Sequence, residues 1–471
     1  MAPARRRQTS DNERQPVRVG MISLGCAKNL VDGEVMLGHL ASSGAQITSD
    51  AAAADVVIVN TCGFVEDAKR ESIESVLEVA EAKRQGAVQR IVVAGCMAQA
   101  YADELRDEIP EIDAFVGLDE LDEVVGAVRG EMATHLPDQR GALRLFDHSH
   151  PRLLSTHGYA YLKVAEGCNN PCTFCHIPAM RGAFRSRSVA DLVAEARQLE
   201  SQGVRELVLI AQDTTRYGED LQIRGGLRRL VEALLRETAI PWIRFMYAYP
   251  ATLDEELFRL MSREDRFLSY LDIPLQHANR GVLKAMNRGG DAKSYLRLIE
   301  RARAAVPDLV LRTTFIVGFP GEGESEFGEL LSFVESVSFD HLGAFTYSWQ
   351  EENPGAALGD PVPEAVKAER RAILLEAQQP ISLAHNRELV GRVSPALVAG
   401  PLAEMELLTE ARLPRQAPEI DGRLLINDGA APPGTIVNVE ITEAHPYDLV
   451  GRVVRRFPSA ASGSPRLPVR S

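Results

Sequence analysis

Residues 159–175, YAYLKVAEGCNNPCTFC, run a short alternating apolar segment straight into cysteines at 168, 172 and 175. The first eight residues read as a β-strand and the rest as the loop at its end. Cys168, Cys172 and Cys175 have the C-x3-C-x2-C spacing that supplies three thiolates to one cubane iron–sulfur cluster and leaves the fourth iron without a protein ligand. An electron-transfer cluster is ordinarily closed by four cysteines, whereas an open iron accepts a cofactor directly, as when the amino and carboxylate groups of S-adenosylmethionine chelate it. The pattern points to radical chemistry.

Downstream, ELVLIAQD (206–213), WIRFMYAYP (242–250), YLDIPLQH (270–277), LVLRTTFIVGFP (309–320) and HLGAFTYSW (341–349) repeat the strand pattern, separated by amphipathic helical stretches. Six βα-type units predict a partial or full (β/α) barrel over 154–385, with chemistry at the C-terminal ends of its strands. The cysteine loop follows the first strand, where such a site belongs.

Upstream, VRVGMISLGC (17–26), VVIVNTC (56–62) and RIVVAGC (90–96) each read as a strand ending in a cysteine. Cys26, Cys62 and Cys96 are 36 and 34 residues apart, close to one βα unit of about 30 or more residues. A βα alternation over 17–131 predicts an open parallel α/β domain. Strand ends in such a sheet share one edge, where ligands bind, so these cysteines are expected to hold a second three-thiolate cluster. A single cysteine there would be read as packing.

Residues 132–153, which include DHSHP (147–151), are expected to be a solvated linker, with His148 and His150 in it. A charged helix over 364–389 leads out of the barrel. Residues 386–456 then break into RVSPALVAG, RLLIN, TIVNVEIT and DLVGRVV, predicting a small β-barrel. The leader 1–16 and the tail 457–471 are expected to be disordered.

The chain has 471 residues, 45% apolar and 25% charged, and no run approaching the roughly 20 apolar residues of a membrane span. No apolar segment follows the basic start, so there is no sign of a signal peptide and a cytoplasmic protein is expected. Six cysteines in a reducing compartment suit cluster ligation better than disulfides. A net charge of −14 opposes phosphate backbones on average and suits a basic protein partner.

SLGCAKNLVDGE (23–34), NTCGFVEDAKRESI (60–73), AGCMAQAY (94–101), AEGCNNPCTFCHIPAMRGAFRSR (165–187), YLDIPLQH and LRTTFIVGFPGE (311–322) together resemble the radical S-adenosylmethionine methylthiotransferases over about 17–456. The resemblance implies a methylthiotransferase domain with an auxiliary cluster, a radical barrel and a TRAM β-barrel that presents the substrate. SLGCAKNLVD, NTCGF and AFTYSWQEENPGA look like the RimO-type branch, which modifies an aspartate of ribosomal protein S-twelve, rather than the branch that modifies a tRNA adenosine. Ala27, Gly33 and His176 depart from the usual pattern, but none removes a cluster ligand. A zinc site using His176 is disfavoured, since adjacency to Cys175 is poor chelate geometry. Residues 386–456 hold ten acidic residues and eight arginines, which favours docking a basic ribosomal protein over RNA, with direct RNA binding left open.

On this resemblance, the cluster on Cys168, Cys172 and Cys175 reduces S-adenosylmethionine to a 5′-deoxyadenosyl radical that abstracts hydrogen from the aspartate β-carbon. The cluster on Cys26, Cys62 and Cys96 carries the sulfur, which a second S-adenosylmethionine methylates. The implied cofactors are two 4Fe–4S clusters and S-adenosylmethionine. The implied partners are ribosomal protein S-twelve or the small ribosomal subunit and a reductant such as flavodoxin or ferredoxin. Phe174, Gln212, Gln276, Arg312 and Gly318 are candidate cofactor-binding residues near predicted strand ends, with Gly321 and Glu322 shaping the same rim. Arg181, Arg185 and Arg187 are candidates for holding a carboxylate or phosphate. The competing readings are a tRNA methylthiotransferase, an iron–sulfur scaffold or electron carrier, and a zinc-stabilised RNA-binding protein.

Overall fold

The strand Val56–Thr61 is buried along its whole length, as expected for the middle of a parallel sheet covered on both faces. In the computed structural model, which describes residues 16–50, 53–131, 144–402 and 405–454, the chain divides into two units. Among these residues, the first comprises those up to 155 together with 176–183, and the second 156–175 together with those from 184 onward. The expected disordered leader and tail, apart from Pro16, and residues 132–143 of the expected linker lie outside the described residues.

The first unit is built on β1 (Arg18–Ser23), β2 (Gln46–Thr48), β3 (Val56–Thr61), β4 (Arg90–Gly95) and β5 (Ala114–Val116). All pair in parallel, in the order β2-β1-β3-β4-β5. Helices α1 (Ala27–Ser42) and α4 (Val124–Arg129) cover one face, α2 (Glu66–Arg84) and α3 (Cys96–Glu108) the other. The alternation of β3 divides the core. Val57 and Val59 join Val76, Val79 and Leu105, whereas Val56 and Ile58 join Val35, Met36 and Val124. Three cysteine-terminated strands were expected; β2 and β5, three residues each, complete the sheet. Residues 144–155 do not form a solvated linker. Phe146 is buried against the sheet, His150 lies 3.0 Å from His39, and Arg152 pairs with buried Glu34 at 2.6 Å. The short helix α5 (Ile177–Arg181) also belongs to this unit.

The second unit carries six parallel strands in two ladders: β6 (Tyr159–Lys163), β9 (Glu206–Ile210) and β10 (Trp242–Phe245), then β11 (Tyr270–Gln276), β12 (Val310–Val317) and β13 (His341–Thr346). The two-residue strands β7 (Ala165–Glu166) and β8 (Arg185–Ser186) pair antiparallel beside them. Among the described residues β6 and β13 do not pair, so this is an open, partial barrel. Its crossovers include α6 (Val189–Ser201), α7 (Gly226–Glu237), α8 (Glu255–Arg263), α9 (Arg280–Ala285), α10 (Ala292–Ala305) and α11 (Glu324–Val337). Ser188, Asp254, Asn279 and Asp291 cap four of them through their side chains.

Helix α12 (Glu364–Arg387) leads to a closed barrel of β14 (Val393–Leu402), β15 (Met405–Arg412), β16 (Leu424–Asp428), β17 (Ile436–Ala444) and β18 (Leu449–Val453). Buried charges fasten it to the N-terminal ends of the parallel strands. Glu206, fully buried, bridges Arg244 at 2.5 Å and Arg412 at 2.6 Å, and the Tyr270 hydroxyl donates to Asp421 at 2.6 Å. Burial pushes the Glu206 carboxyl up, but the two guanidiniums together outweigh it and its pKa lies below the usual carboxylate value. This contribution is present above the ordinary carboxylate pKa and lost as pH falls through the lower folded value, so the junction weakens on acidification. Glu206→Gln leaves two buried guanidiniums short of their counter-charge and is expected to cost about 3–5 kcal/mol, read as a lowered thermal midpoint. A midpoint within the ordinary surface-substitution range, about 0.5 kcal/mol, would show that the junction is held otherwise.

No helix among the described residues is long and apolar enough to cross a membrane.

Candidate active site

In a doubly wound sheet of order 2-1-3-4-5, the helices after strands 1 and 3 fall on opposite faces, opening a crevice at the C-terminal edge between them. Cys26 lies three residues past β1 as the residue before α1, Cys62 directly follows β3, and Cys96 directly follows β4. The sheet thus brings the three predicted cysteines to adjacent strand ends beside that crevice. Gly25 has φ +88°, and a Cβ there would sit 2.6 Å from the Cys62 Cβ, so only glycine lets the two loops approach. Gly95, at φ +90°, is hemmed in likewise by Asn60 and Asn29. Asn29 Nδ2 donates to the carbonyls of Leu24, Asn60 and Thr61, tying the first two loops together. Ser72 brackets Cys62, accepting from its N–H at 3.0 Å and donating to its carbonyl at 3.1 Å.

Cys62 and Cys96 are buried and Cys26 is exposed. Burial pushes the Cys96 thiol up to about 12 against the pull of Arg181, and raises Cys62 as well; the neighbouring cysteines add to both shifts. Two buried thiols that resist ionisation, side by side at adjacent strand ends, are a poor site for free thiolates. Iron supplies the missing positive charge, so the donor set fits a cluster.

In the second unit, the loop carrying Cys168, Cys172 and Cys175 is pinned on both sides. Thr173 donates its N–H to Met286 and its hydroxyl to Ala285, and accepts from Gly355 N–H at 2.8 Å. Asn287 holds the Pro171 carbonyl, and Asn170 Nδ2 donates to Asp213 at 2.8 Å. Two donors address sulfur: Asn170 N–H at 3.4 Å from Cys168 Sγ, and Arg288 Nη1 at 3.7 Å from Cys172 Sγ. Burial raises the Cys168 thiol, and this donor set also fits a cluster. Phe174 is half-buried in the loop.

Gln212, just past β9, donates to Glu166 at 2.6 Å, two residues before Cys168. Gln276 ends β11 with φ +71°, a strained backbone for a non-glycine residue of the kind that clusters at functional sites. Gly318, at φ +74°, donates its N–H to Glu322, whose carboxylate also meets His277 and Arg370. A Cβ at Gly318 would meet Lys367 at 2.3 Å, whereas nothing crowds Gly321.

Arg312 does not join this edge. It is the third residue of β12, bonded to Asp272 at 3.0 Å and beside Asp421 at 3.4 Å, at the end of the strands that meets the closed barrel. Arg187 pairs with Asp191 and Glu195, and Arg185 lies in β8. Arg181, in the first unit, meets Asp32 and Cys96, and His176 is buried there with its ring 6.3 Å from that of Phe64. Sequence reading missed Glu166, Asp213, Arg288 and Tyr247. The last has φ +63° just beyond β10 and donates its N–H to Asp272. Only Glu166, a charge inside the apolar run before Cys168, carried a signal.

Family models match three stretches: an uncharacterized protein family, UPF0004, over residues 18–117, the radical SAM superfamily over 162–334 and the TRAM domain over 390–454. A relative from Anaeromyxobacter sp. (strain K), named ribosomal protein uS12 methylthiotransferase RimO, is 48% identical, covering 94% of this chain and 95% of its own. The relative of the same name from Syntrophotalea carbinolica is 46% identical over 93% of this chain and 97% of its own. The chain belongs to the RimO family. It is a radical S-adenosylmethionine transferase of the methylthiotransferase type. RimO relatives match the ribosomal-protein branch of the resemblance and not the tRNA branch. The solved structure of TsrM from Kitasatospora setae, a radical S-adenosylmethionine methyltransferase with cobalamin and a [4Fe-4S] cluster bound, aligns with a TM-score of 0.54. It is 15% identical, covering 72% of this chain and 77% of its own, a likeness of fold alone.

Proposed function

We propose that this chain replaces a β-carbon hydrogen of an aspartate in ribosomal protein uS12 with a methylthio group, each of its two three-cysteine sets holding one 4Fe–4S cluster. The reading rests on one observation: six cysteines in all, grouped three and three at the C-terminal ends of two sets of parallel strands. A closed pair of clusters would need eight thiolates.

When bound, the radical cluster with S-adenosylmethionine supplies a 5′-deoxyadenosyl radical able to take hydrogen from an unactivated carbon. The chain's own residues hold and shield that site. Cys168, Cys172 and Cys175 are its ligands, and Asn170 N–H and the Arg288 guanidinium stabilise negative charge on two of the sulfurs. Glu166 and Gln212 offer polar groups to the cofactor, and Phe174 offers an aromatic face. Gln276 and the Gly318 turn shape the rim. Cys26, Cys62 and Cys96 would hold the auxiliary cluster, which would supply the sulfur of the methylthio group. A one-electron reductant such as flavodoxin or ferredoxin completes the reaction.

Anaerobic turnover of the reconstituted chain with S-adenosylmethionine, a reductant and either uS12 or unmodified tRNA tests the reading by mass spectrometry. A gain of about 46 mass units on an aspartate-bearing uS12 peptide, H replaced by SCH3, is expected. The same gain on a tRNA nucleoside with none on the peptide would assign the chain to RNA.

A further inference from the structure

Arg181 is 1% exposed. In the first unit its Nε and Nη2 lie 3.3 and 3.1 Å from Cys96 Sγ, and Nη2 also lies 3.1 Å from Asp32, itself 1% exposed. Burying a guanidinium costs several kcal/mol, roughly, unless opposite charge and acceptors meet it. Asp32 balances one charge. Two of the N–H groups are nevertheless spent on a sulfur, and a neutral thiol is a weak acceptor. Such a pair is worth its desolvation when the sulfur carries negative charge, as a metal-bound thiolate does.

We propose that Arg181 is a positioning residue for the auxiliary cluster: its guanidinium donates two N–H···S hydrogen bonds to the ligand sulfur of Cys96 and raises the cluster's reduction potential, with Asp32 moderating the effect. The inference rests on Cys26, Cys62 and Cys96 being that cluster's ligands. Hydrogen bonds to the sulfurs and local charge set the potential of a given cluster type. Reduction adds negative charge, which a cationic donor favours and a carboxylate opposes. Removing Arg181's fork must therefore lower the potential, and neutralising Asp32 must raise it.

The test uses the full chain carrying Cys168→Ala, Cys172→Ala and Cys175→Ala, so that only the auxiliary cluster assembles, with anaerobic redox titration followed by electron paramagnetic resonance. Arg181→Lys keeps a charge but loses the fork, and is expected to disfavour one-electron reduction about tenfold, a midpoint shift of about 59 mV to the negative. Arg181→Met should shift it further, and Asp32→Asn should shift it to the positive. A packing role alone would not give opposite signs. If Arg181→Met fails to take up iron, Arg181→Lys and Asp32→Asn decide. A cluster whose midpoint is unmoved by Arg181→Lys, or moves the same way in both variants, overturns the inference alone. A background that takes up no iron overturns the ligand assignment, and the inference with it.

Discussion

Cys168→Ala is expected to abolish reductive cleavage of S-adenosylmethionine, by roughly a thousandfold or more, while iron on Cys26, Cys62 and Cys96 remains. The radical loop supplies three thiolates and no spare one, so losing any of them leaves two ligands for a cluster that needs three to bind with one open iron. Nothing else in the loop substitutes. Asn170, Arg288 and Thr173 address sulfurs or backbone and offer no soft donor. The loop should otherwise keep its shape, because Thr173, Asn287 and Asn170 pin it through bonds that do not involve Cys168's side chain. The check is 5′-deoxyadenosine formed per chain after reduction. Cleavage persisting near the unsubstituted rate would remove Cys168 from the radical site.

Cys26→Ala should have the complementary effect: S-adenosylmethionine is still cleaved, but methylthiolated product falls to background, again roughly a thousandfold or more. Cys26 is the exposed member of its set and immediately precedes helix α1, whereas Cys62, directly after β3, and Cys96, the first residue of α3, are buried. Its removal therefore takes a ligand away with little loss of packing, and the sheet core on either side of β3 is untouched. Measuring 5′-deoxyadenosine and methylthio product on the same samples separates the two activities. If Cys26→Ala lost radical cleavage with its radical cluster intact, the two clusters would not have divided the work as proposed.

Much of this was legible in the sequence because parallel strands read as apolar runs and their cysteines fall at the ends. The sheet's strand order was not. Two of its five strands, QIT and AFV, are three residues long and show no alternation, so the β1/β3 crevice that gathers Cys26 and Cys62 was out of reach. Arg312 was expected among the cofactor residues as a polar residue near a predicted strand end. Five residues separate it from Val317, roughly 16 Å along a strand, which places it at the opposite end with Asp272 and Asp421. The contact between Arg181 and Cys96 spans 85 residues and follows no local pattern. The left-handed backbone at Tyr247 and Gln276 is equally silent, since neither is a residue type that advertises a positive φ.

Iron and acid-labile sulfide counted per chain after anaerobic reconstitution test the central claim, two separate three-thiolate sites, most directly. The unsubstituted chain should hold about eight iron and eight sulfide, and each triple-alanine variant, at Cys26/Cys62/Cys96 or at Cys168/Cys172/Cys175, about four of each. A chain that holds only about four iron, or a variant of either set that keeps all eight, would contradict it.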